Sequence, residues 1–468
     1  MDRTAFAREF EGARLKDRRR EERLTRIAEQ CRASPDKSLP DIASTTADLT
    51  ALYRFLRSPA TTLANVLDPH VRATAVRCAE AGRVLVVHDT TECEMPGESR
   101  AGLGPLRGSA AQGFLAHAAL ALAGDGSRRP LGVLGAHTWK RDQTARNRRA
   151  DGTRKNGGAC HRMTDKESAR WWKLIHETEQ HLGGVEAVHV MDREADAYHI
   201  VRDALDHDTR FVIRMARDRV LLDEDEERLG LTSEVLASCE DVFTIEAPLA
   251  KRAGHPTPRS EPARDVRQAT LAVTGTRAHL ARPNYDLESV TSLEVNLVCV
   301  RENDAPAGVE PVAWVLITSE PIATKRDLQR VVEIYRARWM IEELFKALKT
   351  GCAFEKRQLE SYDTLTTALG IFLPIAWHLL LLRHQARSEP AAPADRVLSP
   401  VQIEILRARL PTMMPSTPTA ADALRAVAYL GGHFIKRPPG WLVLGRGLEK
   451  LLDLELGWRL ARGMEPPM

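Results

Sequence analysis

The spacing of apolar positions changes several times along the chain, and each change predicts an element. Residues 1 to about 70 read as helical, with Leu49, Leu52, Tyr53 and Leu56 of "DLTALYRFLRSP" at helical spacing. "RVLVVHDTTE", 83 to 92, is a compact β-branched run ending in polar residues and predicts a buried strand. "GFLAHAALALAG" and "RPLGVLGAHTW" predict two more strands. "DKESARWWKLIHETEQHL" predicts a helix capped near Thr164 or Asp165, "EAVHVMDREAD" a strand running into a helix, and "TRFVIRMAR" a further strand. From 218 to about 310, short alternating pieces such as "QATLAVTG" and "SLEVNLVCV" predict an inserted β-rich segment. "VAWVLITSEP" then returns to a buried strand. Two long helices are expected at about 324–349 and 361–385, and a Pro- and Ala-containing linker near 388 leads to a last helical part. The most apolar run, "ALGIFLPIAWHLLLL", is 15 residues long and carries Pro374 and His378. A membrane span needs about 20 apolar residues, so this run predicts a buried helix.

Within the first of the two long helices, "YRARWMIEELFKALKTG" (335–351) holds Tyr335, Arg338, Glu342, Lys346 and Lys349. At about 100° per residue, steps of three, four, four and three put all five in one stripe. Ile334, Ile341, Leu344 and Leu348 fall on another face. The stripe carries one carboxylate among four groups able to bind phosphate. The alternative is a solvated face with ion pairs such as Glu342 with Lys346.

Composition excludes several classes. The chain has 468 residues and a formal net charge of only +3, so charge distribution says more than total charge. Residues 140 to 173 hold eleven Lys or Arg against four Asp or Glu. Seven scattered cysteines, none in C-x-x-C spacing, argue against a disulfide framework and a zinc site and fit a reducing cytoplasm. The start of the sequence has no apolar signal-peptide core, and no internal repeat is visible.

Candidate chemistry lies in three carboxylates. Asp89 ends one predicted strand, Asp192 ends another, and Glu342 sits on the stripe. Strand-end carboxylates and a helix carboxylate can converge at one edge of a sheet. Three oxygen ligands without a His or Cys partner suit hard cations, Mg²⁺ or Mn²⁺. Two such ions about 3.5 to 4 Å apart support phosphodiester cleavage or joining. Each carboxylate also has an ordinary reading: Asp89 as a turn residue, Asp192 as a helix cap, Glu342 as the partner of Lys346.

"DTTE" (89–92), "DREAD" (192–196) and the 335–351 segment resemble the three carboxylate motifs of DDE transposases, specifically the fourth insertion-sequence family, which includes the transposase of transposon five. That family's third motif, Tyr, two residues, Arg, three residues, Glu, six residues, Lys, is met by Tyr335, Arg338, Glu342 and Lys349. "LKDRRREERL", "LYRFLRSP", "RFVIR", "WVLITSEP" and "LGGHFIKRPPGWLVLGRGLEKL" extend the similarity along the chain. The resemblance implies an α/β fold with a ribonuclease-H-like mixed-sheet core. It implies a helical DNA-end-recognition domain over 1–70, a catalytic domain over 71–385 with the insertion at 218–310, and a helical dimerisation domain over 386–468.

It further implies Asp89, Asp192 and Glu342 as catalytic metal ligands for two Mg²⁺ ions, with Mn²⁺ as a substitute. Tyr335, Arg338, Lys346, Lys349 and Arg214 become candidate DNA contacts, joined by Arg18, Arg19 and Arg20 of the N-terminal helix. Trp314 and Trp339 are candidates for stacking on a displaced base, with core packing the alternative, more strongly for Trp339. Trp171 and Trp172 read as packing residues. The basic stretch 146–162 is either a phosphate-binding or a solvated loop, and His88 and His189 read as strand residues with satisfied hydrogen bonds. The implied activity is cut-and-paste transposition, through a hairpin at the transposon end and then strand transfer to target DNA. A homodimer in a synaptic complex, no membrane, and a cytoplasmic, nucleoid-associated setting in a bacterium go with it. Rival readings are a ribonuclease-H-like nuclease or resolvase without strand joining, and a non-catalytic DNA-binding inhibitor.

Overall fold

In a computed structural model of the chain, the structure describes residues 6, 8–106, 111–141, 169–249, 265–284, 286, 290–309, 311–434 and 438–463. The basic stretch 146–162 and the caps expected at Thr164 or Asp165 lie outside these residues.

Three N-terminal helices, α1 (Arg18–Ala33), α2 (Thr46–Leu56) and α3 (Leu63–Ala81), each begin where a side-chain oxygen of Asp17, Thr45 or Thr62 accepts a first-turn backbone N–H. Twelve strands follow: β1 (Arg83–Glu94), β2 (Gly104–Pro105), β3 (Gln112–Ala123), β4 (Pro130–Trp139), β5 (Glu186–Met191), β6 (Phe211–Arg214), β7 (Val220–Leu222), β8 (Arg228–Leu231), β9 (Phe243–Leu249), β10 (Arg267–Ala281), β11 (Ser292–Glu302) and β12 (Ala313–Thr318). Helices α4 (Ala169–Leu182) and α5 (Tyr198–Asp206) lie between β4 and β6 in sequence.

All twelve strands join one sheet, in the order β2-β3-β1-β5-β6-β12-β11-β10-β7-β8, with β4 beside β3 and β9 beside β10. β1 is antiparallel to β3 and parallel to β5, which is parallel to β6. A β4-β3-β1-β5-β6 half of this kind, with helices on both faces, is the ribonuclease-H-like core. The insertion expected between 218 and 310 is β-rich as its alternation predicts. Among the described residues it makes no second sheet: β12 pairs with β6 and carries the insertion strands on as an extension of the core sheet.

After β12 come α6 (Lys325–Arg336), α7 (Trp339–Lys346) and α8 (Tyr362–Ser388). Helix α8 contains the long apolar run. It is long and apolar enough to cross a membrane, yet its most apolar window is wholly buried, so it serves as the core helix its interrupted sequence predicts. The C-terminal helices α9 (Pro400–Arg409), α10 (Ala420–Leu430) and α11 (Trp441–Ala461) pack onto α8, and one apolar cluster runs from Phe6 and Leu24 through Val87, Ile341 and Phe372 to Leu448. Glycine sets this packing. A Cβ at Gly447 would stand 1.8 Å from the Val427 carbonyl oxygen, and one at Gly445 would stand 2.7 Å from that of Gly351, just beyond the catalytic-side helix. The six described cysteines are all free.

Candidate active site

Register places the two aspartates. The parallel ladder between β1 and β5 ends at the pair Val87 and Val190. Asp89 and Asp192 each stand two residues further on, so the period of two brings both to the face that carries buried Val87 and Val190. Helix α7 crosses that face with Glu342 in its first turn. Arg338, just before α7, reaches between them: Nη1 donates to Asp89 Oδ2 at 2.9 Å, and Nη2 to Glu342 Oε1 at 2.5 Å.

Burial, and then the charge of Asp192, push the Asp89 carboxyl up to about 7; Arg338 and the Thr90 N–H oppose this, and Glu342 adds to it. Burial works against the Arg338 charge, but Asp89, Glu342 and Asp192 hold its pKa above the ordinary guanidinium value. Asp89 and Glu342 therefore share one guanidinium, and Asp192 acts on it by charge alone. Among the described residues no three His, Cys, Asp or Glu side chains yet converge on one ion position. In chemistry the set fits a hard divalent cation: the ligands are all oxygen, and their repulsion is relieved by added positive charge.

The ordinary roles coexist with this. Asp192 Oδ1 accepts the Glu194 N–H at 2.8 Å and caps a short 3₁₀ turn, Arg193–Ala195. Asp89 Oδ1 accepts the N–H of Thr90 at 2.8 Å. Glu342, however, pairs with Arg338 and not with Lys346, which binds Glu343 at 2.9 Å.

The single helix expected over about 324–349 is broken. Between Tyr335 and Ile341 the backbone tightens to i to i+3 bonds, such as Arg338 N–H to the Tyr335 carbonyl at 3.0 Å, and Ala347–Gly351 forms a π-helical turn. No Pro or Gly marks the break between α6 and α7, so spacing alone could not reveal it. Arg338 and Glu342 of the predicted stripe stay paired, and the other three take different partners. Tyr335 is buried, 6.0 Å between ring centres from half-buried Trp314. Lys349, in the π turn, donates to the Glu92 carbonyl at 2.5 Å and pairs with Glu355 at 3.1 Å. Lys346 lies 4.7 Å from the centre of the Trp339 ring. The apolar face behaves as predicted, with Ile334, Ile341, Leu344 and Leu348 buried.

Packing was the stronger expectation for Trp339, and the structure reverses it: Trp339 is 55% exposed, because it falls in the first turn of α7 on the side away from Ile341 and Leu344. Trp171 is buried and Trp172 half-buried, as expected. Arg214 closes β6 opposite Leu316, with Nη2 3.5 Å from the Ala313 carbonyl. Arg18, Arg19 and Arg20 form the first turn of α1; the first two are exposed, and Arg20 Nη1 donates to the Leu15 carbonyl at 3.1 Å.

His88 and His189 make the expected hydrogen bond, at 2.8 Å and to each other, although His88 Nδ1 has no partner. Sequence reasoning missed Glu179, which accepts from His189 Nε2 at 2.6 Å, and Glu355, which holds Lys349. It also missed a buried Glu9 bound to His70 and Arg77, with Nδ1 of His70 2.5 Å from Glu9. The only available signal for the histidines was their place beside strand-end carboxylates.

Residues 2–61 match the family model described as transposase DNA-binding, and residues 160–374 match the transposase DDE domain. The second match contains Asp192 and Glu342, while Asp89 precedes it. A cryo-EM structure of a piggyBac transposase synaptic complex with hairpin DNA is similar at 9% identity and a TM-score of 0.32, over 86% of this chain and 58% of that one. The chain thus spans under two thirds of that relative's length. Two stretches of the chain are thus similar to transposase domains, one to a DNA-binding domain and the other to a DDE domain.

Proposed function

We propose that this chain is a cut-and-paste DNA transposase of the fourth insertion-sequence family, acting inside the cell as a homodimer that pairs two transposon ends. The observation that carries the reading is the gathering of Asp89, Asp192 and Glu342 around Arg338 at the end of the β1–β5 ladder. These three side chains would hold divalent cations, Mg²⁺ with Mn²⁺ as a substitute. When bound, such ions make water a nucleophile at neutral pH and stabilise the departing oxygen.

In the first step a water oxygen bonds to phosphorus at the transposon end, the P–O3′ bond breaks, and a 3′ hydroxyl is freed. That hydroxyl attacks the opposite strand to give a hairpin, which water reopens, and the 3′ end then joins target DNA. Arg338, Lys346, Lys349 and Arg214 bind backbone phosphates around the reacting strand. Exposed Trp339, with Lys346 over its ring, is available to a base displaced from the duplex; Trp314 backs Tyr335.

Arg18, Arg19 and Arg20 support end recognition on energetic grounds. Cations in the first turn of a helix oppose its macrodipole, so three of them are a local cost that a phosphate backbone would relieve. For the dimer, the C-terminal helical part offers exposed Tyr429, Phe434, Leu454 and Leu460.

A gel assay on an end-containing duplex with Mg²⁺ tests the reading, scoring binding and cleavage separately for Asp89→Asn, Asp192→Asn and Glu342→Gln. Each variant is expected to bind ends and to lose nearly all cleavage. Cleavage surviving in all three would remove the catalytic assignment. Cleavage without strand joining by the unmutated protein would favour a nuclease, and binding without cleavage an inhibitor.

A further inference from the structure

On the other face of the sheet from Asp89, two buried imidazoles and a partly exposed carboxylate form one hydrogen-bonded line. His88 of β1 lies 2.8 Å (Nε2) from His189 Nδ1 of β5, and His189 Nε2 lies 2.6 Å from Glu179 Oε1 of α4. Both imidazoles are fully buried, while the Glu179 side chain is 36% exposed. The partners dictate the proton positions. A carboxylate accepts, so His189 Nε2 carries hydrogen; its Nδ1 must then accept, so His88 Nε2 carries hydrogen. His117 packs beside His88, with ring centres 5.8 Å apart, and is tied to Thr90 Oγ1 at 3.0 Å.

The place of this line matters more than its strength. Backbone pairing between β1 and β5 ends at Val87 and Val190, two residues short of both aspartates. Beyond that point β1 runs on to Glu94 paired with β3, the β1–β5 ladder no longer ties Asp89 to Asp192, and their charges repel. The bond from His88 to His189 spans the two strands within one residue of that last pair, and Glu179 anchors it to α4. We infer that His88, His189 and Glu179 are positioning residues: they hold β1 beside the end of β5 where the ladder between them stops, so that Asp89 and Asp192 present their carboxylates to the same cations. This rests on the proposed function. Hydrogen-bonded partners that orient metal ligands typically change metal affinity or activity by about 10- to 100-fold when lost.

The test separates positioning from packing. His88→Met removes the donor at similar bulk, whereas His88→Gln places an amide N–H near the position of Nε2. Free Mn²⁺ counted by electron paramagnetic resonance gives affinity without reference to turnover. Steady-state cleavage of an end duplex gives kcat and KM. For His88→Met, Mn²⁺ affinity and kcat are expected to fall about 10- to 100-fold with KM for the duplex unchanged, and His88→Gln should restore most of both. Should His88→Met fail to fold, Glu179→Ala on the half-exposed face of α4 carries the test, with a smaller loss in the same direction. Unmutated Mn²⁺ affinity in folded His88→Met, or in Glu179→Ala where the former does not fold, overturns the inference. So does a His88→Gln protein as impaired as His88→Met. An unmutated protein that binds Mn²⁺ but cleaves no DNA sinks the proposed function instead, and the affinity comparison still decides the positioning role.

Discussion

Replacing Arg338 by alanine leaves the Asp89 and Glu342 carboxylates facing each other and Asp192 without their shared guanidinium. The Arg338, Asp89 and Glu342 side chains are 17%, 16% and 28% exposed, so solvent replaces it poorly. Each lost charge-assisted hydrogen bond is worth about 1.5 to 3 kcal/mol, and breaking a buried pair costs about 3 to 5 kcal/mol. Asp89 has an escape, because with a pKa near 7 it can take a proton at little cost. We therefore expect a destabilisation of about 2 to 3 kcal/mol at pH 8 without metal, read as a fall of several degrees in Tm. The sign with pH follows from the direction of the shift. The folded pKa of Asp89 is raised above its ordinary 3.8, so this group's contribution is complete below about 3.8 and is lost as pH rises through about 7. Without Arg338 that loss deepens, so the penalty of the substitution should grow from pH 6 to pH 8. Saturating Mg²⁺ should shrink it, since the cations take over the lost charge. Scanning fluorimetry of both proteins at pH 6 and 8, with and without Mg²⁺, is the assay. A penalty equal under all four conditions would refute the reasoning.

Further outcomes are expected elsewhere. Glu9→Gln should destabilise by about 3 to 5 kcal/mol, since it strips buried His70 and half-buried Arg77 of their partner. Although burial alone would raise it, hydrogen bonds and charge from His70 and Arg77 pull the Glu9 carboxyl down to about 2, so its contribution is present above pH 4.5 and lost as pH falls toward 2; urea midpoints across that range check it. Trp339→Ala should change stability by no more than about 0.5 kcal/mol because the ring is exposed. The same change should abolish quenching of a 2-aminopurine placed at the displaced base, and undiminished quenching would exclude Trp339 from stacking. Phe434→Ser with Leu460→Glu should leave Tm unchanged and reduce paired-end complexes in sedimentation runs. Point changes are the right tool there, since removing 386–468 would also uncover the core that α10 and α11 share with α8.

Much of the architecture was legible because it depends on local rules. The compact β-branched run of "RVLVVHDTTE" and the period of 3.6 in the apolar face of α6 and α7 follow from local preferences that hold in any context. The run in α8 was legible as a core helix because Pro374 and His378 interrupt it. Asp192 was legible as a residue at a strand end and the third motif as a spacing, whereas Asp89, expected at a strand end too, lies inside β1, which runs on to Glu94 because β3 continues to pair with it.

Tertiary structure decided what those residues touch. Continuity of the helix over 324–349 was an extrapolation of local period; pairing of Arg338 with Asp89, 249 positions away in sequence, coincides with the turn that breaks it. Whether Trp339 packs or projects depends on where α7 rests against β1, which no window of sequence contains. The same holds for Glu179, His189 and His88, which meet only because β1 and β5 lie side by side and α4 covers them. Side-chain partnership is set by strand order and helix placement, and those arise from burying apolar faces across the whole chain rather than from any local pattern.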